Sequence, residues 1–316
     1  MNFIKKTLFI ILVLLVAGAG FYACTKPKFQ RVAYSLPASD KKLSIKQIFS
    51  KTPAIVDFKV LKTGEVLVPR SGMLNEKRLP ANHSIPKRLW VSVYAYLFKH
   101  QTKGWFMIDS GLDSSFQQKG NIKGWLAKKY IKQTKQAHQQ NVKALLASEK
   151  TKLAKKGEQL TIQGIFFTHL HGDHTAGLPE LPPSIPLFAG KGDKFHYYPF
   201  LYTSNHMDKV SRIQELDFNQ GISLENFEKV LDIFGDQSLL AIATPGHSKG
   251  HLSYLLHTAQ GNVLLTGDAS HTRYGFEKGI EPGWTDNREQ AQKSLQQLRE
   301  FAKNHPKVKV IYGHEQ

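Results

Sequence analysis

Cysteine is nearly absent: Cys24 is the only one in 316 residues. No disulfide can therefore form within one chain, and soft thiolate metal sites are disfavoured. The body must rely on its core and on any metal it binds. Acid is scarce too, with 25 Asp and Glu against 43 Lys and Arg, for a net charge of +18. Long apolar runs are missing after the first 24 residues, and no internal repeat or low-complexity tract is present. No linker divides the body. What remains is ordinary for a globular protein: 41% hydrophobic residues, and a chain long enough for a large core.

Much of the excess charge is local. Lys119 to Lys156 holds eleven lysines and a single acid, Glu149. Such a run could meet nucleic acid or an anionic membrane surface, or simply be a solvated helical face. It has no interleaved aromatics beyond Trp125 and Tyr130, so stacking on bases is poorly supported. The solvated face is the expectation, with an anionic membrane surface next. At the amino terminus, Lys5-Lys6 precedes the uncharged run Leu8–Ala23. A basic n-region followed by an apolar h-region is the pattern of an export signal. Ala17-Gly18-Ala19 offers a small-x-small cleavage site, and Cys24 follows the run where a lipidated residue would stand. Three fates are open for residues 1–24: a cleaved signal peptide, a lipoprotein signal or a retained membrane anchor. All put the protein in the periplasm or at the outer face of a membrane. Residues 25–56 read as a polar lead-in, and 57–316 as one domain.

Strand-like runs occur at Asp57–Leu61, Leu89–Lys99, Trp105–Ile108 and Ser184–Gly190. Trp125–Leu153 reads as one or two helices, and Asn287–Asn304 as an amphipathic helix. Alternating strands and helices fit α/β layers. The chemistry-bearing signals close four further apolar runs. Ile165-Phe166-Phe167 leads into Thr168-His169-Leu170-His171-Gly172-Asp173-His174. Leu239–Ala243 leads into Thr244-Pro245-Gly246-His247, Val263–Leu265 into Thr266-Gly267-Asp268, and Val308–Ile311 into Tyr312-Gly313-His314. Open sheets with helices on their faces tend to place sites at the carboxyl ends of strands. One site should therefore collect His169, His171, Asp173, His174, His247, Asp268 and His314. That set is too large for one tetrahedral ion. Two divalent cations bridged by a carboxylate and a water would use all of it. Imidazole with carboxylate suits Zn2+, with Fe, Mn, Co or Ni as alternatives.

The order HxHxDH, His, Asp, His resembles the metallo-β-lactamase superfamily from about Val60 onward. Trp105–Gly111 looks like its early strand ending in Asp-x-Gly. Within the superfamily the chain looks most like the N-acyl-homoserine lactonases. Thr244–His251 resembles their TPGHxxGH, Leu265–Ser270 their strand-end Asp-Ala, and Tyr312–Glu315 sits where they carry Gly-His-Asp. The resemblance implies an αββα sandwich of two mixed sheets flanked by helices. It also implies a ligand division: His169, His171 and His247 on one ion, Asp173, His174 and His314 on the other, Asp268 bridging. Asp109 would buttress the metal loop, and His251 would pack or orient from outside the ligand set.

The implied reaction is opening of the lactone ring of an acyl-homoserine signal, which would quench quorum sensing. A water shared by the two cations would attack, and Asp173 would carry a proton to the departing alkoxide. The lactonases carry a Tyr three residues after the bridging Asp, where its hydroxyl helps polarise the carbonyl. This chain has His271 there, a candidate for that contact. Phe195–Tyr202 is rich in aromatics, for an acyl pocket or for core packing. Another ester, a thioester or a β-lactam is the alternative substrate. A basic, exported nucleic-acid-binding or -processing protein is the alternative of another class. Oligomeric state is not readable.

Overall fold

A computed structural model describes residues 29–38, 44–118, 121, 128, 131–195 and 206–315. The amino-terminal segment with Cys24 lies outside the described residues, as does the aromatic stretch after Phe195. Among the described residues, no helix is long and apolar enough to cross a membrane.

Period-two alternation builds the layers. Strands β2 (Ile55–Pro69) and β3 (Arg88–His100) form a long antiparallel hairpin, and β4 (Gly104–Ile108) pairs with β3. Parallel strands β6 (Ile162–Phe166), β7 (Leu187–Gly190), β8 (Arg212–Leu216) and β1 (Gln30–Ala33) extend this sheet beyond β4. The second sheet runs β14 (Lys309–Ile311), β13 (Gly261–Leu265), β12 (Leu252–Thr258), β11 (Leu239–Ala243), β10 (Phe227–Asp232), β9 (Ile222–Leu224). It is antiparallel apart from the β13–β14 pair. Both sheets are thus mixed, and they join through a single pairing, Thr258 with Ile55.

Alternate residues of each strand face different partners. Tyr94, Tyr96, Phe98, Phe106, Ile108 and Phe166 point inward and meet Leu239, Ala241, Tyr254, Leu256 and Leu265 of the second sheet. Their neighbours Ala95, Leu97, Trp105, Met107 and Ile165 point outward, against helix α3 (Val142–Ala154) through Val142 and Leu153. Leu240, Ile242, Leu255 and Leu264 point outward on the other side, under α6 (Arg288–Asn304) through Leu295, Leu298 and Phe301. Helix, sheet, sheet, helix is the αββα order expected.

Three segments differ from the sequence reading. The lead-in contributes β1 and α1 (Ile45–Ser50), whose Ile45 and Ile48 are buried under the second sheet. Its two isoleucines hold it down despite its polar composition. The Trp125–Leu153 stretch, read as helical, yields a short strand β5 (Gln133–Lys135) on the β2 edge before α3 begins. Backbone pairing offered by β2 overrides local helix preference there. The Ser184–Gly190 run starts as a strand only at Leu187, after Pro182, Pro183 and Pro186. On and just after α3, Lys143, Lys150, Lys152, Lys155 and Lys156 of the lysine run are exposed.

Candidate metal centre

The ends of β4, β6, β11, β13 and β14 meet at one edge of the sandwich. Among the described residues, donor atoms lie within 4.8 Å of one another in four sets: His169–His171–His247, His169–His174–Asp268, Asp173–His174–His314 and His247–Asp268–His271. Every ligand read from the sequence is in at least one set. Asp268 is at the centre. Its Oδ2 is 3.4 Å from His247 Nε2, 3.4 Å from His314 Nε2 and 3.7 Å from His169 Nε2. Its Oδ1 is 3.6 Å from His174 Nε2. Asp173 Oδ2 stands 3.4 Å from His314 Nε2 and 3.9 Å from His174 Nε2.

The protons on these rings can be placed from their other contacts. His174 Nδ1 donates to Asp109 Oδ2 at 2.8 Å, His247 Nδ1 to the Trp284 carbonyl at 2.8 Å, and His314 Nδ1 to the Ser92 carbonyl at 2.8 Å. Thr168 Oγ1 gives its single proton to Asp109 Oδ2 and can only accept from His169 Nδ1, 3.1 Å away. When neutral, His169, His174, His247 and His314 therefore all turn bare Nε2 lone pairs toward Asp268. His174 Nε2 and Asp268 Oδ1 are buried and lack any hydrogen-bond partner. Buried polar atoms are almost always satisfied. Lone pairs converging on a buried carboxylate are complementary to cations, so the donor set fits divalent metal ions. The fixed Nδ1 contacts are also the usual way proteins orient metal-binding imidazoles.

Burial favours the neutral form at three of these rings, while nearby carboxylates favour the proton at two. Burial, helped by neighbouring His174 and His171, pushes His169 well below the ordinary imidazole value. Burial also lowers His171 and His247. Burial would lower His174 and His314 as well, but Asp109 and Asp268 hold His174 well above that value, and Asp268 and Asp173 raise His314. Burial would raise Asp268; the His271, His314 and His174 imidazoles outweigh it and keep the carboxylate ionised. Protons and metal ions compete for these lone pairs.

The backbone around the centre is shaped to fit. Asp109 adopts φ 56°, a left-handed conformation uncommon for a non-glycine residue, and from it accepts from the Thr168 N–H (2.8 Å) as well as Thr168 Oγ1 and His174. At Gly313 a Cβ would come within 2.3 Å of Asp268 Oδ1, so only glycine lets the last strand approach the carboxylate. His251 is closed off from the centre. Its Nδ1 donates to the Thr244 carbonyl at 3.0 Å, and its Nε2 accepts from the Asp268 N–H at 2.8 Å. It positions Asp268 and has no lone pair left. The His206 ring lies beside Gly172 of the metal loop. Phe195, the one described residue of the aromatic stretch, packs in the core of the first sheet.

The sequence reading missed Asp193. Its Oδ2 accepts from the Leu170 N–H at 2.7 Å and its Oδ1 from the Gly250 N–H at 3.2 Å, tying the metal loop to the loop that carries His247. The available signal was the same as for the ligands: an acid just past an apolar strand, Leu187–Gly190.

The sequence model of the Metallo-beta-lactamase superfamily matches residues 88–314. The chain belongs to the metallo-β-lactamase superfamily. Among its relatives within that superfamily are an N-acyl homoserine lactonase AttM of Agrobacterium fabrum, 29% identical over 154 residues, and an N-acyl homoserine lactonase of Bacillus thuringiensis, 30% identical over 156 residues. These matches cover 47% and 48% of this chain, and 56% and 55% of those proteins. The chain thus spans little more than half the length of the curated relatives it matches. A solved N-acyl homoserine lactone hydrolase, with the product N-hexanoyl-L-homoserine at its catalytic metal centre, shares the fold at a TM-score of 0.61 and 20% identity. That superposition covers 83% of this chain and 94% of the other.

Proposed function

We propose that this metallo-β-lactamase superfamily member is a metal-dependent hydrolase that opens the lactone ring of N-acyl-homoserine lactones. The observation that carries the proposal is the ring of imidazole Nε2 atoms that converges on buried Asp268. The similarity to N-acyl homoserine lactonases supports the choice of substrate. In this reading His169, His171 and His247 hold one divalent cation, and Asp173, His174 and His314 hold another. Asp268 is shared, and zinc is the first choice. Bound there, the cations would supply Lewis acidity toward a carbonyl and acidify a shared water.

The residues themselves divide the remaining work. Asp268, with a side chain only 4% exposed and imidazoles on several sides, stays ionised and holds charge. Asp173 is the more open carboxylate, 25% exposed, which supports its role as carrier of the proton to the departing alkoxide. His271 stands at the same centre, its Nε2 3.0 Å from Asp268 Oδ2. Asp109 and Asp193 keep the metal loop in register. The small-molecule substrate needs no nucleic-acid surface. Lys5-Lys6 and Leu8–Ala23 support an address outside the cytoplasm or at a membrane, and recovery of the full-length protein wholly in the cytosolic fraction would rule that out.

Protein purified from Thr25 onward without chelator should contain about two metal ions per chain. It should hydrolyse acyl-homoserine lactones in preference to β-lactams and thioesters. Full activity with a reproducible single ion would overturn the paired arrangement. Turnover of a thioester or β-lactam but no lactone would overturn the substrate.

A further inference from the structure

His271 carries the same signature as the rings assigned to metal. It is buried, 2% exposed. Its Nδ1 lies 3.2 Å from the carbonyl oxygen of Met73, an atom that can only accept. Its Nε2 lies 3.0 Å from Asp268 Oδ2, also an acceptor, so a neutral ring has one proton for two acceptors, and a proton on Nδ1 leaves Nε2 a bare lone pair. Its ring centre is 5.2 Å from that of His247 and 5.3 Å from that of His314. Both of those rings also spend Nδ1 on a backbone carbonyl and turn Nε2 to Asp268. A hydrogen bond from His271 Nε2 to a substrate carbonyl would need the proton that Asp268 Oδ2 is placed to accept. With the proton on Nδ1, the Nε2 lone pair and the Asp268 oxygen face each other, an arrangement that a cation beside both would stabilise. The donor atoms of His247, Asp268 and His271 lie within 4.8 Å of one another.

We propose that His271 is a metal ligand, lending Nε2 to the cation site that His247 and Asp268 share. The proposal rests on the metal-dependent reading above, and it replaces the carbonyl contact expected from the sequence. It makes the centre richer in imidazole by one ring. The polarising donor that a tyrosine supplies at this position in similar lactonases is then missing here.

The test is binding of Zn2+ and Co2+ to the metal-free protein, followed by competition with a chromophoric chelator and by the visible spectrum of the cobalt form. His271→Ala and His271→Tyr should each weaken one of the ions by about tenfold to a hundredfold or more and leave the other in place. Both should also change the cobalt bands, and X-ray absorption should count fewer imidazoles. Metal-free samples of wild type and variants should melt alike, which separates ligand loss from misfolding. If the alanine form does not fold, His271→Gln, which can still donate to the Met73 carbonyl, takes its place. Unchanged affinities and cobalt spectra in both variants, with kcat lost in Ala and restored in Tyr, would overturn the proposal in favour of a donor to substrate. Wild-type protein that binds no divalent ion would instead overturn the metal-dependent reading itself.

Discussion

The two sheets bring their donors to the centre by different means. The first sheet delivers the 168–174 loop, and side chains hold it. Asp109 grips Thr168 and His174, Thr168 Oγ1 accepts from His169, and Asp193 takes the Leu170 N–H. The second sheet delivers His247, His271 and His314, and backbone carbonyls hold those rings, from Trp284, Met73 and Ser92. One half therefore depends on particular residues. The other depends on where the main chain runs at Trp284, Met73 and Ser92, which hold the rings through their carbonyls. Substitutions should break the halves unequally.

The largest effect is expected at Asp109. Its Oδ1 faces one donor and its Oδ2 faces two. In Asp109→Asn the amide NH2 must face a donor in either orientation, and the charge opposite His174 is gone. Asparagine tolerates the left-handed backbone, so the change isolates the side chain. Unfolding in urea should show a loss of about 3–5 kcal/mol, as for breaking a buried pair. Metal affinity should fall by about tenfold to a hundredfold. Affinity within about twofold of wild type would mean that the side-chain buttress does not matter. On the other half, Gly313→Ala tests main-chain placement. A methyl group within 2.3 Å of Asp268 Oδ1 must push the strand or the carboxylate away. A cost of about 1–3 kcal/mol and a large drop in turnover are expected, the usual size for overpacking.

The same contrast explains what could be read from the sequence. Donors on strand ends were legible, because His and Asp closing apolar runs are a chemical pattern. Asp109 was legible through the resemblance of Trp105–Gly111 to the family's early strand. The layers followed from alternating apolar residues. The carbonyls of Ser92, Met73 and Trp284 were not, because every residue offers a carbonyl and only the folded path selects one. Hence His271 looked like a hydrogen-bond donor by its position, and only the fold shows that its two nitrogens face Met73 and Asp268. The strand at Gln133–Lys135 was hidden similarly, since its cause is an edge of β2 distant in sequence.

A smaller, pH-dependent effect should mark His251, which positions Asp268 through its N–H. Burial pushes this ring down to about 3 from the ordinary 6.5. Between those values the unfolded chain takes up a proton that the folded chain refuses. Its contribution is therefore intact above about pH 6.5 and is lost progressively as pH falls toward 3. In the metal-free protein, stability should drop by up to about 1.4 kcal/mol per pH unit in that window relative to His251→Gln, which has no such proton to refuse. Urea midpoints for the two proteins at pH 7 and pH 5 measure it. Parallel changes would show that His251 is not kept neutral by burial.

The smallest effect should come at Ser92, and its smallness is the point. The residue fixes the His314 ring through its carbonyl oxygen, and its N–H pairs with the His314 carbonyl at 3.3 Å. Alanine keeps both groups and lies in the same extended strand, opposite Glu65. Ser92→Ala should therefore change stability by less than about 0.5 kcal/mol. Metal content and turnover should stay within about twofold. A proline at the same position keeps the carbonyl but removes the N–H and fixes φ, so it should unseat His314 and release a metal ion. The pair of variants separates a role of the main chain from a role of the serine hydroxyl. If alanine proves as damaging as proline, the hydroxyl matters, and the rings delivered by the second sheet are held by side chains just as the 168–174 loop is.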